Sequence, residues 1–275
     1  MKQLLKTEWL KLKDYSAFKI LSIFFVVGVV LSNYIFYRSV AVVTEQKTAS
    51  MLMGKYNPYS FENTWQTTSF VTGCLLILPA MLLVILVTNE FTYRTNRQNI
   101  IDGWSRRQFI DVKLVLAFWF ALATTVIALL TAFVFGLATS EDGFSFYKIV
   151  HLLYLFLKAL SYNVIAVFIA VLVRRTGFAI GVFFIYLWIE NIIANLLDFW
   201  SRKIKMDTGY DLGSMGDYLP MNASDGLLPF PDNPLKSMAK SVMPTDYTWL
   251  VFGFALAYLV LFIWLSRRRI IESDL

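Results

Sequence analysis

Residues 89–113, NEFTYRTNRQNIIDGWSRRQFIDVK, hold the densest set of groups in this chain able to make specific polar contacts. Arg94, Arg97, Arg106 and Arg107 offer planar, permanently charged forks, with Glu90 and Asp102 interleaved. That chemistry is recognition of a partner surface rather than bond-making. Elsewhere the sequence has no His-Glu-x-x-His, no nucleophile elbow and no His/Cys cluster, so the residue sets of hydrolases and metalloenzymes are missing. It also has no Gly-x-x-x-x-Gly-Lys-Ser/Thr loop of the kind that cradles nucleotide phosphates.

A second set of reactive groups lies inside apolar runs. Lys158 and Glu190 carry ionisable heads where water is scarce, with Asn163, Asn191 and Asn195 in the same runs. Ionisable residues at such depth are costly and face a partner or a wet cavity. Two readings follow: a Lys158–Glu190 ion pair that ties adjacent helices, or a polar pathway lined by Glu190 and the three asparagines. His151, the only histidine, stands at the end of a run with no cysteine nearby, so a metal site would need carboxylates from elsewhere, and it reads as interfacial.

These groups need elements to hold them. The chain is 57% hydrophobic with a mean hydropathy of +0.59, above the apolar share of soluble domains. The apolar residues gather near 17–37, 68–87, 114–138, 149–173, 178–197 and 249–265, each close to the roughly 20 residues that cross a bilayer. The expected fold is therefore an all-α polytopic membrane protein of six transmembrane helices, a single membrane domain over 1–275. Pro79 is expected to kink the second run. Gly177 and Gly181 have helix-packing spacing. Cys74, the only cysteine, reads as a small apolar filler. Trp9, Trp65, Trp200 and Trp249 fall where aromatic belts are expected.

The net charge of +6 follows the topology rather than a nucleic acid. Lys2, Lys6, Lys11, Lys13 and Lys19, the 89–113 insert, Arg174–Arg175 and Arg267–Arg269 all fall on one side if both termini are cytoplasmic. The long 198–246 segment on the other side carries seven aspartates, including Asp198, Asp211, Asp217, Asp225 and Asp232. Its Gly, Pro and Asp content predicts an irregular extracytoplasmic cap with short helical pieces. Ser39-Val40-Ala41 has the small-x-small spacing of a cleavage site, but the long polar region before it and the spans after it predict retention.

Local patterns add detail. Leu5, Trp9 and Leu12 fall on one face of 1–16, with Lys6 and Lys13 on another, which predicts a helix lying in the membrane interface. Residues 89–101 predict one cytoplasmic helix, ended by the Asp102-Gly103 turn. Ser105-Arg106-Arg107-Gln108 matches a capping box that restarts the chain into the third span.

The run Asn89-Glu90-Phe91, Arg97-Gln98, Ile101-Asp102-Gly103, Ser105-Arg106, Phe109 and Lys113 resembles the segment between the second and third spans of ABC-2 type transporter permeases. The Lys-rich start, the six spans, the Arg174-Arg175-Thr176-Gly177 turn and the large segment before the last span fit the same resemblance. It implies a bacterial inner (plasma) membrane permease subunit that pairs with a second protomer, identical or related. It also implies a separate ABC ATPase that binds ATP and Mg, while this chain binds no cofactor. Residues 1–16 would be the elbow helix and 89–101 the coupling helix, with Glu90, Arg94, Arg97, Asp102, Arg106 and Arg107 as coupling residues. Export of an amphipathic, lipid-like, peptide or drug-like substrate through the dimer interface would follow. The competing expectation is an ion-coupled secondary transporter using Lys158, Glu190 and Asp198, for which the sequence shows no internal repeat or paired broken helices.

Overall fold

The structure is a computed structural model that describes residues 2–45, 56–140, 143–232 and 247–272. Its helices are α1 (Lys2–Lys13), α2 (Ser16–Glu45), α3 (Thr64–Gly73), α4 (Ile77–Thr92), α5 (Thr95–Ile101), α6 (Arg106–Thr139), α7 (Val150–Val173), α8 (Thr176–Thr208), α9 (Asn222–Gly226) and α10 (Thr248–Ile271). Five of them, α2, α6, α7, α8 and α10, are each long and apolar enough to cross a membrane. The α3–α4 pair makes a sixth candidate span, bent by 42°.

That bend has a local cause. Pro79 has no N–H, and its ring would clash with the Leu75 carbonyl one turn back. The chain therefore leaves regular helix over 74–76, where Cys74 and Leu75 donate to Val71 and Thr72 three residues earlier. Helix resumes at Ile77 with Pro79 in its first turn, where a missing N–H costs least. The second span is thus two helices over 64–92 rather than one over 68–87.

Helix α7 is the axis of the bundle. Of its most apolar stretch 72% is buried, against 17% for α2, 28% for α8 and 11% for α10. It packs on α3, α4, α6, α8 and α10. The core runs through Leu83, Val87, Ile110, Ala117, Leu155 and Phe183. Ala117 of α6, whose carbonyl accepts from Asn163 of α7, is a small residue at the α6–α7 contact and allows the close approach that drives helix association in lipid.

One end of the bundle gathers α1, α5, the Arg174–Thr176 turn and the end of α10, where Arg267 donates to Asp111 at 2.7 Å. At the other end, α8 continues as helix to Thr208, past the point where the sequence predicts an irregular cap to begin. Beyond Gly209 the chain folds back as a 3-10 turn (Met215–Tyr218) and α9, and packs on α7, α8 and α10. Met221, Ala223, Leu227 and Leu228 are buried there. The rest of the cap, 233–246, lies outside the described residues.

Candidate functional site

Helix α5 is shorter than the sequence predicts. Residues 89–92 complete α4, and Arg94, in the left-handed region with φ 58°, breaks the chain before α5 begins at Thr95. The single 89–101 helix is therefore two helices meeting at a corner. The Asp102-Gly103 turn ends α5, with Gly103 at φ 96° where a side chain would be strained. The Ser105 capping box forms in full: its hydroxyl accepts from the Gln108 amide, and the Gln108 side chain accepts from the Ser105 amide.

The corner divides the coupling candidates into two groups. Arg94, Arg97, Asp102, Arg106 and Arg107 are exposed, as are Tyr93 (73%) and Ile101 (78%). Arg106 donates to the Ile271 carbonyl, and Arg107 lies 3.8 Å from Asp111. Glu90 instead points inward and is buried, so it does not belong to the exposed surface on which the sequence reading put it.

Glu90 is part of an ionic cluster. Lys113 of α6, fully buried, lies 2.5 Å from Glu90 of α4 and 2.5 Å from Glu8 of α1. Lys11 reaches the same two carboxylates at 3.1 and 3.3 Å. The amide of Asn99 in α5 donates to the second Glu90 oxygen at 3.2 Å. Two carboxylates and two ammonium groups balance, and each buried charge has hydrogen-bonding partners, as burial requires. The cluster pins α1, α4, α5 and α6 to one another. Beside it, Asn89 accepts from Thr176 and donates to Tyr15, while Arg174 stacks over Phe91. The α7–α8 turn therefore rests on the same corner.

Glu8, Lys11 and Lys113 were not singled out as a cluster by the sequence. Glu8 is the one acid in α1, set among lysines, and that mismatch was the available signal. Burial alone would raise the pKa of Glu8, but the charges and hydrogen bonds of Lys113 and Lys11 outweigh it and hold the carboxyl below its ordinary 4.5. A depressed folded-state pKa contributes stability above the unfolded value, and that stability is lost as pH falls through the folded value. Acidification below about pH 4.5 is therefore expected to release α1. A fluorophore at Leu10 should report that release in the native chain. Glu8→Gln should be loosened already at neutral pH and nearly flat through the acid range.

The intramembrane charges are not arranged as the ion-pair reading expects. Lys158 does not pair with Glu190. It lies 3.3 Å from Asp225 in α9, whose other oxygen accepts from the Tyr162 hydroxyl at 3.0 Å. Gly73, at the break of the second span, leaves room for this lysine, since a Cβ there would sit 3.2 Å from its Nζ. Glu190 accepts from the Met221 amide at 2.5 Å, the Asn222 amide at 2.9 Å and the Asn222 side chain at 3.2 Å. Asp198 accepts from the Gly216 amide at 2.8 Å, where the chain passes so close to Ala194 that a Cβ would meet its carbonyl at 2.7 Å. Each of these charged groups holds the folded-back segment in place. The correction follows from connectivity: the fold-back delivers Asp225 and two free amides to positions that the span order could not reveal.

The asparagines separate as well. Asn163 is buried and donates to the Ala117 carbonyl, tying α7 to α6. Asn191 and Asn195 line a cavity of about 430 Å³ with Tyr162, Trp188 and Phe184, on the open side of α8. Trp9, Trp200 and Trp249 are exposed as expected, whereas Trp65 is buried and donates to the Ser145 carbonyl.

A family model described as ABC-2 family transporter protein matches residues 4–190, well over half of the chain. The chain belongs to this family. No curated protein matches it. The match takes in α1, the corner at Arg94, the ionic cluster and α8 as far as Glu190, while the fold-back segment and α10 lie beyond it. The ABC-2 transporter is accordingly a multi-pass membrane protein and a transport component that is not catalytic alone.

Proposed function

We propose that this ABC-2 transporter is the permease subunit of an ATP-driven exporter, and that α5 with Arg94 forms the coupling surface for a separate ABC ATPase. The observation that carries this reading is the two-sided corner. Its outer face presents Arg94, Arg97, Asp102 and Ile101, and its inner face is held through Glu90 and Asn99 to Lys113 and Glu8. A push on α5 is thereby passed to α1, α4 and α6 together. ATP and Mg belong to the ATPase.

The basic end, with both termini, is assigned to the cytoplasm by the positive-inside rule in a bacterial inner membrane. A second protomer, identical or related, would cover the open face of α8. Trp188, Ile192 and Leu196 are exposed on α8, and apart from the neighbouring residues and backbone of α8 itself no described atom comes within 4 Å of a Cβ placed on Gly177 or Gly181. Two such faces would enclose the Asn191–Asn195 cavity, whose mixed lining suits an amphipathic substrate such as a lipid, peptide or drug-like molecule.

The test is co-purification of the tagged permease with candidate ATPase subunits. Arg94→Glu/Arg97→Glu should lower ATPase recovery at least ten-fold while the permease elutes unchanged. An undiminished complex would remove the docking role from this corner.

A further inference from the structure

A cavity near the basic end takes no part in coupling or in the α8 pathway. It measures about 600 Å³ and opens between α1, α2, α4 and α6. Leu5, Trp9 and Leu12 form one wall, Phe18 and Phe25 a second, and Pro79 with Leu116 lies at its base. Ser22 and Thr124 bring hydroxyls to the lining; it contains no charged side chain. Trp9 (57% exposed) and Trp119 (53%) stand at the rim, so the cavity opens sideways, toward the place a bilayer would occupy. Its volume lies within the roughly 300–1,000 Å³ of small-molecule sites, and its chemistry is that of hydrocarbon.

The rim is mainly basic, with three lysines to one aspartate. At about 100° per residue, α1 turns Glu8 and Lys11 into the bundle, then Leu5, Trp9 and Leu12 onto the cavity, then Lys6 and Lys13 onto the strip beside it. Lys19 follows the cavity-lining Phe18 on α2 and is exposed. Asp14 lies 3.8 Å from Lys13; among the described residues Lys6 and Lys19 have no ion-pair partner. An apolar slot bordered by ammonium groups at the level of an interfacial helix matches one class of molecule, an amphiphile with a long hydrocarbon tail and an anionic head. A bilayer supplies that molecule at high local concentration.

We propose that this cavity is a binding site for an anionic phospholipid of the surrounding leaflet, its acyl chain between α1 and α6 and its phosphate on Lys6, Lys13 and Lys19. A bound tail fills the space under α1 and stiffens its seat. The lipid thereby becomes a structural part of the α1 attachment that Glu8 completes. The inference requires only that the chain sits in a bilayer, so it stands or falls separately from the ATPase reading.

The test uses the full chain in nanodiscs of mixed phosphatidylglycerol and phosphatidylcholine, with a photoactivatable benzoylphenylalanine at Phe120 inside the cavity or at exposed Val260 on α10. Mass spectrometry of the adducts reads the lipid ratio. Phe120 should capture phosphatidylglycerol well above the bulk ratio, and Val260 should report the bulk ratio. Lys6→Gln and Lys19→Gln should each lower the enrichment about five-fold, the effect of one basic residue near an anionic lipid. Ala123→Trp, which fills the cavity from the α6 side, should abolish lipid capture at Phe120. Equal ratios at the two positions, enrichment indifferent to both lysines, or adducts to protein instead of lipid would each overturn the assignment. The lysine variants change only exposed side chains, so their result does not depend on how the cavity-filling variant folds.

Discussion

Replacing Lys113 with Met is expected to destabilise the protein by about 3–5 kcal/mol, the usual cost of removing one partner from a buried ion pair. Lys113 is buried between Glu8 and Glu90, and without it two carboxylates face each other with only half-exposed Lys11 to balance them. One carboxyl must then take up a proton or α1 must leave. Thermal melting followed by size-exclusion elution measures the loss, and protease access to the 1–16 segment reports its location. The triple variant Glu8→Leu/Glu90→Leu/Lys113→Met should be less damaging than Lys113→Met alone, because removing all three buried charges leaves none unpaired. If the single and triple variants melt together, the cluster is not what seats α1. Transport should separate the two further: the triple variant can fold yet lack the Glu90 carboxylate that ties Asn99 on α5 to Lys113 on α6, so transport activity should fall more than stability does.

Asp225→Lys is the second large effect. It places two ammonium groups at a site where Lys158 is nearly buried, and about 3 kcal/mol of stability should be lost through an uncompensated charge. The exchange Lys158→Asp/Asp225→Lys should recover much of that loss. The exchange Lys158→Glu/Glu190→Lys should not, because Glu190 serves the amides of Met221 and Asn222 and a lysine cannot accept hydrogen bonds from them. Melting temperatures of the three variants, with proteinase K cleavage within 209–232 as the local reading, decide between partners. Equal recovery by both exchanges would overturn the assignment of Asp225 as the partner of Lys158.

These two sites also explain how a permease corner and an outer fold-back can be held so differently. At the corner, charges from three helices and an amide from a fourth meet in one buried cluster, so displacement of one helix is felt by the rest. At the fold-back, Glu190, Asp198 and Lys158 each hold a separate point of one segment, at the Met221–Asn222 amides, Gly216 and Asp225. Losing one contact there loosens one point first. The ion-coupled alternative draws on these same three residues, and in this structure each already has a structural partner.

Several features were legible in the residues because their causes are local. Hydrophobic runs of bilayer length announce spans, since the cost of unpaired backbone in lipid falls on every residue of the run. The capping box of Ser105 and Gln108 needs only residues three apart. Pro79 disrupts helix wherever it stands, although its carbonyl clash put the break at 74–76, one turn upstream. The basic character of 89–113 is likewise written in composition. What tertiary structure decided was partnership. Glu90 and Arg94 are four residues apart in one polar stretch, and nothing local shows that one turns into the bundle and the other outward. That choice depends on Lys113, which lies 23 residues along the chain from Glu90 and 105 from Glu8. Lys158 and Glu190 sit at plausible depths for pairing, yet the fold-back brings Asp225 to the lysine and free amides to the glutamate. A buried charge takes whichever partner the folded chain delivers, and sequence spacing alone does not encode that delivery.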